Sequence, residues 1–142
     1  LLMQAVIPKM KEKNFGRIIN ITSAMVKNPH LIMGLSTSAR SGLHGLSKAL
    51  SREVAQYNIT INNVLPERIN TDRQTQILNF QAKLADSTYE EVKKELEESL
   101  TAKRMGTVEE FAGICTFLCS EQAAYISGQN ISVDGGNSTN LI

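Results

Sequence analysis

No apolar run in the 142-residue sequence is long enough to span a bilayer, because charged residues interrupt the hydrophobic stretches within a few positions. A membrane-spanning helix needs about 20 consecutive apolar residues, so we predict none, and no signal-peptide pattern precedes the first helix. An excess of one charge is also lacking, since 15 basic and 14 acidic residues leave a formal net charge of +1. We therefore expect no nucleic-acid or membrane partner and a cytoplasmic location.

Cysteine is scarce, and the two that occur do not indicate a metal site. Cys115 and Cys119 lie four residues apart in a helical pattern, without the further His or Cys ligands that zinc needs. We expect both to be buried free thiols. What the sequence does contain, 42% hydrophobic and 20% charged residues, is typical of one globular domain. Because it begins at Leu1 inside an amphipathic pattern, we expect it to be a piece of a longer protein.

Helical and extended patterns alternate along the chain. Short strand-like runs predict three strands, at residues 17–21, 59–64 and 130–133. Helical spacing and capping signals predict helices at residues 1–13, from Leu35 to about Tyr57, at 73–84, at 88–100, and after the capping box of Thr107 and Glu110. Strands joined by helical crossovers pair in parallel, so the predicted fold class is α/β.

A sheet of three parallel strands is small. Such sheets are normally covered by helices on both faces, and the first strand would need a partner on its other edge. We therefore expect the chain to be half of a doubly wound parallel sheet, with further strands on the N-terminal side.

Several motifs then occur in order: GRIINITSA at residues 16–24, a long helix, ITINNVLPERINTDR at residues 59–73, and VDGG at residues 133–136. This order resembles the C-terminal half of the short-chain dehydrogenase/reductase family, nearest its β-ketoacyl-carrier-protein reductase-like members, over nearly the whole chain. The resemblance implies a Rossmann-type sheet. Residues 1–142 would be the C-terminal portion of one such domain, and the N-terminal dinucleotide-binding half would lie upstream.

The resemblance implies an oxidoreductase that uses NAD or NADP and acts on a small-molecule carbonyl or secondary alcohol, such as a 3-oxoacyl thioester. Family members carry an active-site serine, a tyrosine 13 residues later and a lysine four residues after that. Those positions hold Ser23, Ser36 and Arg40 in this sequence, which are the predicted catalytic residues. Relatives form dimers and tetramers, so a homodimer or homotetramer is expected.

Ser36 and Arg40 depart from the family where its chemistry is most demanding. An alkyl hydroxyl ionises far above the pKa of about 10 of a phenol, and its side chain is shorter, so Ser36 cannot inherit the proton transfer of the tyrosine. Arg40 stays charged and donates to a ribose or phosphate, but it does not take up and release a proton as lysine does. We therefore expect cofactor contact to survive the change and the usual proton relay to be lost.

The run after the second strand resembles the cofactor loop of the family. Glu67 stands where glycine is usual, and the predicted cofactor contacts are Arg40, Pro66, Glu67, Ile69 and Thr71. The alternative is a plain strand-to-helix connection with a threonine or aspartate cap. Ser23 likewise has two interpretations, as a catalytic residue or as a residue that only caps the loop after it.

Two histidines are further candidates. His44 lies eight residues past Ser36, about 12 Å along a helix at 1.5 Å per residue, so we expect a packing or interface role. His30 lies in the loop that borders the substrate pocket in this family, and an imidazole titrates near neutral pH. It is either a site residue or an exposed loop histidine.

Two functions stay open from the sequence. The favoured one is an NAD(P)-dependent oxidoreductase, with Ser23 polarising the substrate and Arg40 on the nicotinamide ribose. The alternative is a catalytically silent relative that keeps the fold as a dinucleotide-binding or scaffold subunit. An independent non-enzymatic module is disfavoured by the small size of the sheet.

Overall fold

Three parallel strands form the centre of the structure, a computed structural model that describes residues 2–141. β1 (Gly16–Ile21) pairs with β2 (Ile59–Pro66), and β2 pairs with β3 (Asn130–Val133), so the strand order follows the chain. The predicted α/β class with a three-stranded parallel sheet is confirmed. β2 extends two residues beyond the predicted strand, and Leu1 of the predicted first helix lies outside the described residues.

The helices that connect these strands are α1 (Leu2–Glu12), α2 (Gly34–Val54), α3 (Asp72–Leu84), α4 (Tyr89–Ser99) and α5 (Val108–Cys119). The predicted loop after β1 contains two 3-10 turns, Ala24–Val26 and Leu31–Met33. A third 3-10 turn, Ala55–Tyr57, follows α2, and Asn58 adopts a left-handed conformation (φ 53°) before β2 begins. The capping box predicted at Thr107 is confirmed at the start of α5.

Both faces of the sheet are covered, as parallel sheets require. On one face Ile61 packs in a cluster with Ile7 of α1 and Val54 of α2. On the other face Val64 packs with Leu118 of α5. Every residue of β2 except the last is buried, whereas β1 and β3 are mostly half-buried. β2 is therefore the central strand, and the core lies on both sides of it.

The buried side of α2 is polar, which its apolar pattern does not predict. Apolar residues recur at helical spacing along α2 at Ala39, Leu43, Leu46, Ala49, Leu50 and Val54. Val54 alone of these is buried, together with Thr37, His44, Ser47 and Ser51. For Ser47 and His44 the reason lies in the sheet beneath, where the side chains of Asn20 and Thr22 bond to them. Buried polar groups need such partners. Ser51 donates instead to Lys48 O of its own helix, and Thr37 Oγ1 has no partner among the described residues.

An asparagine row, made of Asn20, Asn63 and Asn130, crosses the three strands at one register position. Asn20 Nδ2 donates to Asn63 Oδ1 at 3.0 Å, and Asn63 Nδ2 donates to Asn130 Oδ1 at 2.7 Å. Asn20 Nδ2 also donates to Ser47 Oγ of α2 at 3.0 Å. Because Ser47 and Asn63 are at most 1% exposed, the row joins the strand register to the position of α2.

We predict that Asn63→Ala destabilises the full-length protein by about 1–3 kcal/mol, because it leaves amide groups of the row unpaired and opens space in the core. Urea denaturation measures this change in the free energy of unfolding. The matched control is Asn79→Ala, which removes an exposed amide that donates to Thr75 O on α3. We expect that control to change stability by no more than about 0.5 kcal/mol, and equal effects of the two substitutions would contradict a structural role of the row.

Candidate active site

Polar residues gather where the three strands end. Ser23 lies just past β1, Glu67 follows β2, and Asp134 follows β3. Parallel strands end at the same edge of a sheet, so these residues lie on one side of the molecule. Ligands of open parallel α/β sheets bind outside the carboxyl ends of the strands. This edge is therefore the candidate site.

A cleft of about 260 Å³ opens at this edge, and we call it the strand-end cleft. The turn after β1, the end of β2 and the first part of α3 surround it, with a lining that includes Ser23, His30, Pro66, Glu67, Arg68 and Gln74. Three of the predicted site residues, Ser23, Pro66 and Glu67, thus meet here. The other four, Ser36, Arg40, Ile69 and Thr71, do not line this cleft.

Ser23 is half-buried at the start of the turn after β1. Its Oγ accepts a hydrogen bond from the backbone N–H of Met25 at 3.3 Å, which caps the first 3-10 turn. A hydroxyl that accepts one bond still has its own O–H to donate. Capping therefore leaves Ser23 able to polarise a carbonyl oxygen in the strand-end cleft.

Ser36 and Arg40 lie one turn apart on α2 and bind each other. Arg40 Nη1 donates to the carbonyl oxygen of Ser36 at 3.2 Å and also to Ser36 Oγ. Both residues are half-buried. A guanidinium has five N–H donors, so contacts through Nη1 leave donors for a ribose or a phosphate. Ser36 offers only an alkyl hydroxyl, which releases its proton far less readily than a phenol.

The loop after β2 is held by hydrogen bonds at both of its ends. Glu67 N donates to Val133 O at 3.1 Å, and Glu67 Oε1 accepts from Asn137 Nδ2 at 2.9 Å. At the other end Thr71 Oγ1 accepts from Gln74 N at 3.3 Å and caps α3. The predicted threonine cap is therefore confirmed, and the capping Oγ1 keeps an O–H that can donate to a ligand.

Ile69 lines a second cleft of about 210 Å³, on the α5 side of the same loop. One wall is an ion pair in which Arg104 Nη2 lies 2.6 Å from Glu110 Oε1 and Nη1 donates to Oε2 at 2.8 Å. The hydrogen bonds from Arg104, and next the backbone N–H of Thr107, lower the pKa of Glu110 to about 2. At neutral pH Glu110 is therefore ionised and paired with Arg104, so it has no proton to donate as a general acid.

The two histidines have different surroundings. His30 is exposed and lines the strand-end cleft with Ser23. His44 is buried on α2, with Nε2 2.8 Å from Thr22 Oγ1, so it has the packing role that was one of its two predicted roles. Burial, and next the positive charge of Lys27, lower the pKa of His44. The folded protein therefore favours its neutral form.

Arg68 and Gln74 line the strand-end cleft but are not among the predicted site residues. Arg68 adopts a left-handed conformation (φ 51°) at the turn of the loop. Gln74 lies in the first turn of α3 and is 8% exposed. Gln74 could have been predicted from its position three residues after Thr71 in the sequence. A polar residue in the first helical turn after a strand-end loop lies at the binding edge of this fold.

The prediction that both thiols are free is confirmed, but the expectation that both are buried is wrong, since Cys119 is exposed and Cys115 is half-buried. Cys119 is the last residue of α5, and the end of the helix leaves it open to solvent. Burial, and next the neighbouring Cys119, raise the pKa of Cys115, which disfavours a reactive thiolate.

Within residues 2–141 we find neither a group of three His, Cys, Asp or Glu residues that could hold a metal ion nor a helix long and apolar enough to cross a membrane.

Parallel strands with crossover helices and a polar cleft at the carboxyl edge define a Rossmann-type α/β protein. The chain belongs to the short-chain dehydrogenase/reductase family, since the family model described as enoyl-(acyl carrier protein) reductase matches residues 1–138. The resemblance drawn from the sequence motifs is confirmed.

Curated relatives support the same assignment. The chain is 38% identical over 128 residues to the NADPH-dependent reductase BacG of Bacillus subtilis (strain 168), covering 90% of this chain and 49% of BacG. It is 35% identical over 136 residues to the 3-oxoacyl-(acyl-carrier-protein) reductase FabG of Aquifex aeolicus (strain VF5), covering 96% of this chain and 50% of FabG. The chain thus spans about half the length of the curated relatives it matches.

Solved structures share the fold. YwfH, an NADPH-dependent reductase involved in bacilysin biosynthesis, is similar with a TM-score of 0.90 at 34% identity, over 98% of this chain and 53% of YwfH. L-sorbose reductase from Gluconobacter frateurii, solved with NADPH and L-sorbose, is similar with a TM-score of 0.90 at 28% identity, over 99% of this chain and 54% of that protein.

We predict that His44 makes stability depend on pH. Its folded pKa lies below the ordinary value of 6.5, so the neutral imidazole stabilises the fold above that pH, and this contribution is lost as the pH falls through the folded pKa. His44→Gln keeps a hydrogen-bonding side chain that cannot titrate, so the loss of stability on acidification should shrink.

Urea denaturation across the range from about pH 8 to about pH 5 checks this prediction, because the imidazole titrates there. The control is Asn79→Ala, which removes an exposed amide of α3 that carries no titratable group and should keep the pH dependence of the parent protein. Identical pH profiles for His44→Gln and the parent would show that His44 does not carry the effect.

Proposed function

We propose that the chain is part of an NAD(P)-dependent oxidoreductase that interconverts a carbonyl compound and a secondary alcohol, such as a 3-oxoacyl thioester and its 3-hydroxy form. The observation that carries this proposal is the strand-end cleft, in which Ser23 meets the loop of Pro66 and Glu67. The relatives BacG and FabG, both named as reductases, support it.

We also propose that the complete domain is larger than this chain. Residues 1–142 would be the C-terminal portion of one Rossmann-type domain, with the adenosine half of the cofactor site contributed by N-terminal sequence. Among the described strands β1 pairs on one edge only, which leaves its other edge for such strands. A homodimer or homotetramer belongs to the same proposal and rests on the family alone, and the cytoplasmic location expected from the sequence belongs to it as well.

The nicotinamide end of NAD(P) is compatible with the residues near this edge. Thr71 accepts a bond from Gln74 N and keeps an O–H that can donate to a carboxamide oxygen. Arg40 has donors beyond those that contact Ser36. Glu67 replaces the usual glycine, but its carboxylate already has a partner in Asn137. NAD(P), when bound, supplies or accepts a hydride.

The proposed roles follow from the chemistry of each side chain. Ser23 donates its O–H to the substrate oxygen and stabilises the negative charge that develops there during reduction. Arg40 holds the nicotinamide ribose. Ser36 does not line the strand-end cleft, so it would reach the reacting oxygen through a water that it binds, and His30 in the cleft is the candidate proton donor.

The second candidate function is a catalytically silent, dinucleotide-binding or scaffold relative. The observation that favours it is the contact between Arg40 and Ser36 Oγ, because the two residues at the tyrosine and lysine positions bind each other and neither lines the strand-end cleft. Binding and turnover experiments separate the two functions.

We expect the full-length protein to bind NADPH or NADH, and Arg40→Ala to weaken that binding about 10-fold or more, since hydrogen bonds from a charged group contribute about 1.5–3 kcal/mol. Titration calorimetry measures the Kd. The matched control is Arg52→Ala in the last turn of α2, which should leave the Kd unchanged. A parent protein that binds neither dinucleotide would remove the cofactor from the proposal.

Restoring the family residues by Ser36→Tyr together with Arg40→Lys should raise turnover of a short 3-oxoacyl thioester about 100-fold, the lower end of what a positioned general acid contributes. The control combines Ser38→Tyr with Arg40→Lys and places the phenol at an exposed position of α2. An active parent supports the oxidoreductase, and an inactive parent that gains turnover supports the silent relative. Failure of the restored variant to turn over any carbonyl substrate would argue against the oxidoreductase and would fit the silent relative.

A further inference from the structure

Gln74 is a buried amide whose nitrogen has no partner. Gln74 is 8% exposed, and its Nε2 makes no hydrogen bond within the described part of the chain. Burying an unpaired amide is unfavourable, so most buried amides are paired. Asn62 and Asn63 follow that rule, since each Nδ2 donates at 2.7 Å, to Ile126 O and Asn130 Oδ1 respectively. Among the described residues Thr37 Oγ1 and His44 Nδ1 also lack partners, but of the three only Gln74 lines the strand-end cleft. Its Nε2 is itself buried, so the amide has to rotate before a ligand in the cleft can accept a bond from it.

The position of Gln74 supports a ligand. Gln74 and Ser23 come from different elements, α3 and the turn after β1, and both line the strand-end cleft. Apolar surface of the same cleft comes from Met25, Pro66 and Ile77. The cleft of about 260 Å³ is slightly smaller than the range of about 300–1,000 Å³ typical of ligand pockets. It therefore suits a short molecule with polar groups at two points.

The chemistry of an amide indicates which group Gln74 would bind. The terminal torsion of a glutamine is broad, so rotation can present either the N–H donors or the carbonyl oxygen to the cleft. Glu67 and Arg68 also line the cleft, and their opposite charges favour a neutral ligand over an anion. A neutral oxygen acceptor, such as a carbonyl, fits this setting.

We propose that Gln74 determines specificity by donating a hydrogen bond to a second carbonyl oxygen of the substrate, while Ser23 binds the reacting one. The substrate class is then a neutral 1,3-dicarbonyl compound, that is, a 3-oxo ester or thioester, in preference to a simple ketone. This inference rests on the proposed function, from which it takes the role of Ser23.

The test compares the binding of ethyl acetoacetate and of 2-pentanone, which lacks the second carbonyl. Ligand-observed NMR titrations use the full-length protein with NADP+ present, so the measurement does not depend on turnover. We expect Gln74→Leu to weaken ethyl acetoacetate binding about 10-fold and to change 2-pentanone binding less than about 2-fold. The matched control is Gln76→Leu, an exposed glutamine of the same helix, which should change neither Kd.

Thermal unfolding without ligand separates recognition from a structural role. Gln74→Leu removes an unpaired buried amide, so the variant should have a Tm equal to or higher than that of the parent. A structural role of Gln74 would instead lower the Tm.

The proposal is overturned if Gln74→Leu binds ethyl acetoacetate as tightly as the parent, or if it weakens both ligands equally. It is also overturned if the parent binds ethyl acetoacetate no more tightly than 2-pentanone. A separate NADPH titration tests the proposed function. If NADPH fails to bind but the Gln74-dependent preference for the dicarbonyl persists, the oxidoreductase proposal fails while the recognition role of Gln74 stands.

Discussion

The sheet depends on the pairing of one buried amide, that of Asn63. This side chain lies on the central strand and is 1% exposed, and it bonds to Asn20 on one side and Asn130 on the other. A slip of one residue would turn every side chain of β2 to the opposite face, where Asn63 would meet the apolar cluster around Leu118. An unpaired amide there is unfavourable, so a single register is selected.

The same register positions the candidate site. Thr22 N donates to Val64 O at 2.9 Å, and Glu67 N donates to Val133 O at 3.1 Å, so the ladders of hydrogen bonds continue just past the ends of β1 and β2. The backbone that carries Ser23 is therefore fixed by the sheet before the loop begins. Groups held by regular elements are placed more rigidly than groups on free loops, which suits residues that must meet a substrate at hydrogen-bond distance.

Local features could be predicted from the sequence, and features set by distant contacts could not. The three strands and the cap at Thr107 follow from periodicity and capping residues that lie next to one another in the chain. The polar buried side of α2 depends instead on which side chains the sheet presents, and Asn20 is distant in sequence from its partner Ser47. Gln74 escaped prediction for the same reason, since its burial depends on how α3 packs at the strand ends.

Ser36 and Arg40 on α2 limit proton transfer more than they limit cofactor binding. Arg40 keeps a positive charge at the lysine position, so an interaction with a ribose or phosphate needs no titration. Ser36 accepts a hydrogen bond from that cation, yet its own proton is still that of an alkyl hydroxyl. In the proposed reduction the proton for the substrate oxygen comes from another group, and His30 lies exposed at the strand-end cleft. The proposed site therefore divides the two tasks, with cofactor contact by Arg40 on α2 and proton donation at the strand-end cleft.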